Sequence, residues 1–94
     1  MKYADINIKR FYNLDNRVYS GGSIPVKYKE MMGLVASMVM RCEGCIKYHI
    51  DRCYEEGVSN EEFVGAISIA LIIGGSIVIP YLRDAFRIWD EIHQ

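Results

Sequence analysis

Ninety-four residues argue for one domain spanning 1–94, and half of them are hydrophobic against about a quarter charged, an ordinary globular balance. The net charge is −1, lysines, arginines and acids are interspersed, and no basic block offers a nucleic acid a surface. A chain this short buries only roughly 60–65% of the surface its unfolded form exposes, so part of its apolar surface is expected to be covered by other copies of the chain.

Helix 1 is expected over Asp5 to Tyr19, with Ile8, Phe11, Tyr12, Val18 and Tyr19 as its apolar groups, and Ser20-Gly21-Gly22-Ser23 ends it. Pro25 opens helix 2, where Met31, Leu34, Val35, Met38 and Val39 keep helical spacing from Lys27 to Arg41; Gly33 weakens that pattern slightly. Helix 3 runs from Glu43 to Glu56 and stops at Gly57. Ser59 and Glu62 make a capping box for helix 4, whose inner face is Phe63, Ile67, Ala70 and Leu71 and whose stop is Gly74-Gly75. Helix 5 takes Ile77 to Ile92, with the stripe Tyr81, Ala85, Trp89 and Ile92. No segment alternates with period two. The fold class is all-α, a bundle of four to five helices with short connections.

Phe63 to Leu82 carries no charge over about the length of a membrane span. Gly74-Gly75, Pro80 and two serines interrupt it, so it reads as two buried helical pieces, with no membrane partner. No secretory signal opens the chain, and a cytoplasmic location is expected. In that compartment a C-x2-C pair points to redox chemistry or metal binding before a structural disulfide.

That pair lies in Arg41 to Cys53, "RCEGCIKYHIDRC", which holds all three cysteines and one of the two histidines. On a helix, Cys42, Cys45, His49 and Cys53 fall within an arc of about 80°, but Cys42 and Cys53 stand about 16 Å apart along its axis. One zinc ion needs every ligand within about 2.3 Å, so a zinc knuckle requires the segment to be a loop. Cys42 and Cys45 at a helix start can come within disulfide range, about 5–6 Å between α-carbons. Cys45 in the first turn would have its thiolate favoured by unpaired backbone N–H groups, and His49, one turn on, is a candidate base for its proton. Cys53 suits a buried small hydrophobe and His93 a solvated end. Phe63, Phe86 and Trp89 suit the core.

From Pro25 to Trp89 the chain resembles the carboxymuconolactone decarboxylase superfamily, and within it the alkylhydroperoxidase D-like branch. The resemblance lies in Glu30, Cys42, Cys45 and His49 at the family's offsets, followed by Gly57-Val58-Ser59, Glu61-Glu62 and Gly74-Gly75. It implies an all-helical protomer in a homotrimer or homohexamer. It also implies a thiol-dependent peroxidase in which Cys45 attacks a hydroperoxide, Cys42 resolves the sulfenic acid to a disulfide, and His49 with Glu30 relays the proton. The implied reductant is an external dithiol, lipoamide-type or thioredoxin-like. No cofactor or metal is assigned. The family's decarboxylase branch lacks the cysteine pair, which disfavours lactone decarboxylation. The alternatives are an assembly module that is non-catalytic or senses redox state, and the zinc module. Glu30 fits least easily: counted along straight helices it stands about 18 Å before Cys42, while His49 enters the next helix by only about 6 Å. A solvated acid in the first turn of helix 2 is the plainer expectation for it.

Overall fold

The computed structural model describes Tyr3 and residues 5–94. Five α-helices follow one another: α1 Ile6–Tyr19, α2 Val26–Val39, α3 Glu43–Glu55, α4 Asn60–Gly74 and α5 Ile79–Ile92. A 3-10 turn, Gly75–Val78, joins the last two. No strand occurs among the described residues.

The helix ends follow local chemistry. Asp5 caps α1 by accepting from the Ile8 N–H at 2.8 Å. Ser59 and Glu62 close a reciprocal capping box on α4, with Glu62 N to Ser59 Oγ at 3.1 Å and Ser59 N to Glu62 Oε1 at 2.9 Å. Two boundaries differ from expectation by two residues. Helix α2 ends at Val39 rather than Arg41, because the chain reverses there. Helix α5 begins at Ile79 rather than Ile77, because Gly75, at φ 75°, breaks the helical path and the next residues form the 3-10 turn. That turn buries Val78 against Gly74, where a β-carbon would collide with the valine methyl.

The core is drawn from α2 to α5. Leu34, Met38, Ile50, Cys53, Phe63, Ile67, Val78 and Trp89 lie at its centre, and Met31, Val35, Tyr81 and Ile92 pack against it. Phe63 and Trp89 stack with centroids 4.2 Å apart. The expectation that Phe86 joins them is corrected. Its ring touches the edge of Phe63 but faces outward, 42% exposed, since it follows the fully buried Ala85 by one position on α5. Helix α1 forms as expected, yet buries no residue; Ile8, Phe11, Tyr12 and Val18 all remain exposed.

The residues 60–92 form one long run that is apolar and long enough to cross a membrane by length and composition. It does not run as a single straight rod. Its path turns at Gly75, and Phe63, Ala66, Ile67, Ala70 and Val78 within it are core residues, but Val64, Ile69, Ile72, Ile73 and Ile77 are exposed. The expectation of two buried pieces is corrected: each piece buries one face only.

Candidate functional site

The site is made by the reversal between α2 and α3. The Arg41 N–H bonds to Met38 O at 3.1 Å, and the Cys42 N–H bonds to Ser37 O at 3.1 Å. This paired pattern closes the C-terminus of α2, with Arg41 in the left-handed position at φ 59°. The chain therefore bends before Cys42. It also folds back over the last turn of α2, which sets Cys42 level with Ser37.

That register settles the position of Glu30. Seven residues separate Ser37 from Glu30 along α2, and seven separate Cys42 from His49 along α3. The two side chains thus stand at the same height, and Glu30 Oε1 lies 2.8 Å from His49 Nδ1. The expected gap between them is corrected: counting along straight helices omitted the turn of α2 that the chain doubles back over. Nor is Glu30 a solvated acid of the first turn. It is 1% exposed, in the second turn of α2, and its other oxygen lies 3.4 Å from Arg52 Nε. A carboxylate this deep needs such partners, since an unpaired buried charge is costly. Arg52 continues outward to Glu55 and Glu56, at 3.2 and 3.1 Å.

Cys42 and Cys45 are joined by a disulfide, with α-carbons 5.2 Å apart. Cys42 is the N-cap of α3, and its sulfur accepts the Cys45 N–H at 3.3 Å. The expectation that the helix mouth favours the Cys45 sulfur is corrected on this point. The backbone donor points at Cys42, because an N-cap side chain reaches back over the first turn while a residue inside that turn does not. Cys45 is exposed and Cys42 half-buried. His49 follows Cys45 by one turn of the intact helix α3, buried with 9% exposure. Cys53, another turn on, is wholly buried and unpaired; burial first, then the negative Glu30, pushes its thiol from 9.0 to about 12. Because Glu43–Glu55 is continuous helix, Cys42 and Cys53 keep the axial separation that prevents one ion from gripping all four side chains. No group of three or more His, Cys, Asp or Glu is placed to hold a metal among the described residues. His93, at the chain end, is exposed, and its Nδ1 donates to Trp89 O at 2.6 Å.

Three residues of the site were not singled out as part of it from the sequence. Arg52 had a signal: it stands three residues after His49, on the same helix face. Gly33 and Tyr19 had none. A β-carbon at Gly33 would lie 2.6 Å from Tyr19 Oη and 2.7 Å from His49 Cε1. Tyr19 Oη itself is 3.5 Å from His49 Nε2. Tyr19, Glu30, Tyr48 and Arg52 also border a polar cleft of about 380 Å³.

A small all-helical fold with a cysteine pair at a helix start and a buried Glu–His pair one turn deeper defines a class of protein. The chain belongs to the carboxymuconolactone decarboxylase family, whose sequence profile matches residues 8–91. It is similar to a Thermotoga maritima member of that family, for which a part in antioxidative response has been suggested. The two share 54% identity and a TM-score of 0.92 over 96% of this chain and 93% of the other. A Legionella pneumophila family member has the same fold, with a TM-score of 0.88 at 22% identity, covering 94% of this chain and 79% of the other. An uncharacterised protein of the Paracoccus denitrificans cox locus is 26% identical over 82 residues, which is 87% of this chain and 74% of that protein.

Proposed function

We propose that the protein is a cytoplasmic thiol-dependent peroxidase of the alkylhydroperoxidase D-like kind, cycling Cys42 and Cys45 between dithiol and disulfide. The observation that carries this is the Cys42–Cys45 disulfide at an exposed helix start, one turn from a histidine backed by a buried carboxylate. The antioxidative role suggested for the similar Thermotoga maritima protein points the same way.

In this reading His49 takes the Cys45 proton. The base matters, because the helix N–H that would favour a thiolate is given to Cys42 instead. The Cys45 thiolate attacks one oxygen of a hydroperoxide; the O–O bond breaks, an alcohol leaves with a proton, and Cys45 becomes a sulfenic acid. Cys42 loses its thiol proton and, as a thiolate steadied in the N-cap, attacks that sulfur; the disulfide forms and the sulfenic hydroxyl leaves as water, taking up that proton. An external dithiol of lipoamide or thioredoxin type then reduces the pair. It attacks the exposed Cys45 sulfur and expels Cys42 as a thiolate into its cap, the better leaving group. Glu30, held by Arg52, orients His49 and supports its charge as it gains the proton.

The test is peroxide consumption with a panel of dithiols. Cys45→Ser is expected to abolish turnover, and Cys42→Ser to stop at a sulfenic acid or mixed disulfide, detected by mass. Unchanged turnover in Cys45→Ser, or no turnover by the parent with any dithiol, rejects the peroxidase. The latter result favours a redox-sensing, non-catalytic family member.

A further inference from the structure

Helix α1 buries none of its own residues completely, yet its last residue enters the site. Two bonds hold that end in place: Lys29 Nζ donates to Val18 O at 2.8 Å and to Ser20 O at 2.7 Å. Tyr19 is thereby laid across His49, with ring centroids 5.3 Å apart, while Tyr48 meets the same imidazole edge-on at 5.1 Å. Gly33 leaves the space both groups use. A β-carbon there would stand 2.6 Å from Tyr19 Oη and 2.9 Å from His49 Nε2.

The hydrogen-bond roles follow from the donor inventory. An ionised carboxylate only accepts, so Nδ1 carries the proton that faces Glu30. Nε2 of the neutral ring is then an acceptor, and the group beside it is the Tyr19 hydroxyl at 3.5 Å. That hydroxyl keeps its proton through the neutral range, since burial, then Glu30 and Asp15, raise it above the ordinary 10.0. We propose that Tyr19 is a positioning residue for His49: its hydroxyl donates to Nε2 and favours the neutral imidazole whose Nδ1–H faces Glu30. Helix α1 is then part of the working site and not only an appendage to it. The inference deepens the proposed function, in which His49 takes the Cys45 proton, but it stands on geometry that needs no turnover.

The titratable and charged groups around the ring are Glu30 from α2, Tyr19 with Asp15 behind it from α1, and Tyr48 and Arg52 from α3. Replacing Tyr19 by phenylalanine keeps the ring and removes only the oxygen. The neutral imidazole then loses its donor and protonates more easily.

The experiment is an NMR titration of isotopically labelled histidine in the full chain and in Tyr19→Phe, with His93 as internal reference. The His49 midpoint is expected to rise by about half a pH unit in the variant, roughly a threefold change in proton affinity, while His93 stays fixed. A ring loosened so that water reaches it would rise too, so the nitrogen-15 shift of the neutral Nε2 is read beside the midpoint: it moves downfield if the donor is lost and stays if a water replaces the hydroxyl. An unmoved or lowered His49 midpoint overturns the proposal. A raised midpoint in a protein that consumes no peroxide keeps the Tyr19 assignment and removes the peroxidase.

Discussion

At Gly33 the α-carbon carries no side chain, and two rings occupy the space one would fill. Alanine is the better helix former, so Gly33→Ala would strengthen α2 if the space were free. It is not free: Tyr19 Oη and His49 Cε1 would lie 2.6 and 2.7 Å from the new carbon. The imidazole must shift, and a misplacement of about 1 Å at a reacting group costs on the order of 10²-fold in rate. Gly33→Ala is therefore expected to keep its helical circular dichroism and, in the proposed peroxidase, to lose peroxide turnover by about that factor. Near-parental turnover would show that the ring has room to spare. Cys53 makes the opposite case, a chemically capable group that is silenced. With its thiol raised to about 12, it is expected to resist alkylation at pH 8 until the protein unfolds. The sign of the pH effect follows. The folded thiol binds its proton more tightly than the ordinary 9.0, so its contribution to stability is full below pH 9 and is lost between pH 9 and about 12. Denaturant melts of the parent and Cys53→Ala across that range check it: the steeper alkaline loss belongs to the parent.

At the level of elements, the two reversals that flank α3 use one hydrogen-bond pattern with different residues. After α2, Arg41 holds the left-handed position; after α3, Gly57 holds it, at φ 78°. Gly57 N bonds to Tyr54 O at 3.1 Å and Val58 N to Cys53 O at 3.0 Å, and the buried Val58 supplies the hydrophobic contact that accompanies such a cap. Nothing lies near the place a Gly57 β-carbon would occupy. The cost of Gly57→Ala is thus the backbone conformation alone, about 1 kcal/mol, read as a lower midpoint in denaturant with an unchanged slope. A cost near zero would mean that the turn relaxes. The first reversal matters more to the site, since it sets Glu30 against His49. The glycine that marks the second reversal is plain in the sequence, whereas an arginine gives no such mark, which is why the register of α2 against α3 was not legible.

The whole molecule exposes more surface than its size calls for. Its accessible area is 6422 Å², against about 5,500 Å² for a monomeric protein of this mass. Its radius of gyration is 14.0 Å, against about 12 Å for a single domain of this length. Helix α1, which buries no residue, adds to that surface, and so does an apolar groove of about 750 Å³ between α2 and α4, bordered by Met31, Met32, Val35, Met40, Ile69 and Ile73. Apolar surface of this kind on a small chain is the expected seat of further copies. Light scattering at micromolar concentration is expected to report a homotrimer or homohexamer. A stable monomer would leave the uncharged run from Phe63 to Leu82 without its covering.

The sequence by itself determined the helices, most of their ends and the chemical content of the site. Capping residues, glycine stops and apolar spacing act within a few residues of one another, so Ser59, Gly57 and the C-x2-C pair with His49 could be recognised without a fold. The family resemblance, carried by those same fixed offsets, is met by the fold and by the match over residues 8–91. Tertiary structure alone decided that Glu30 is buried against His49 and Arg52, that the helix mouth serves Cys42, and that Tyr19 and Gly33 frame the imidazole. Each of these depends on how far one helix doubles back upon another. Such distances are fixed by packing between elements, and no local pattern in the chain encodes them.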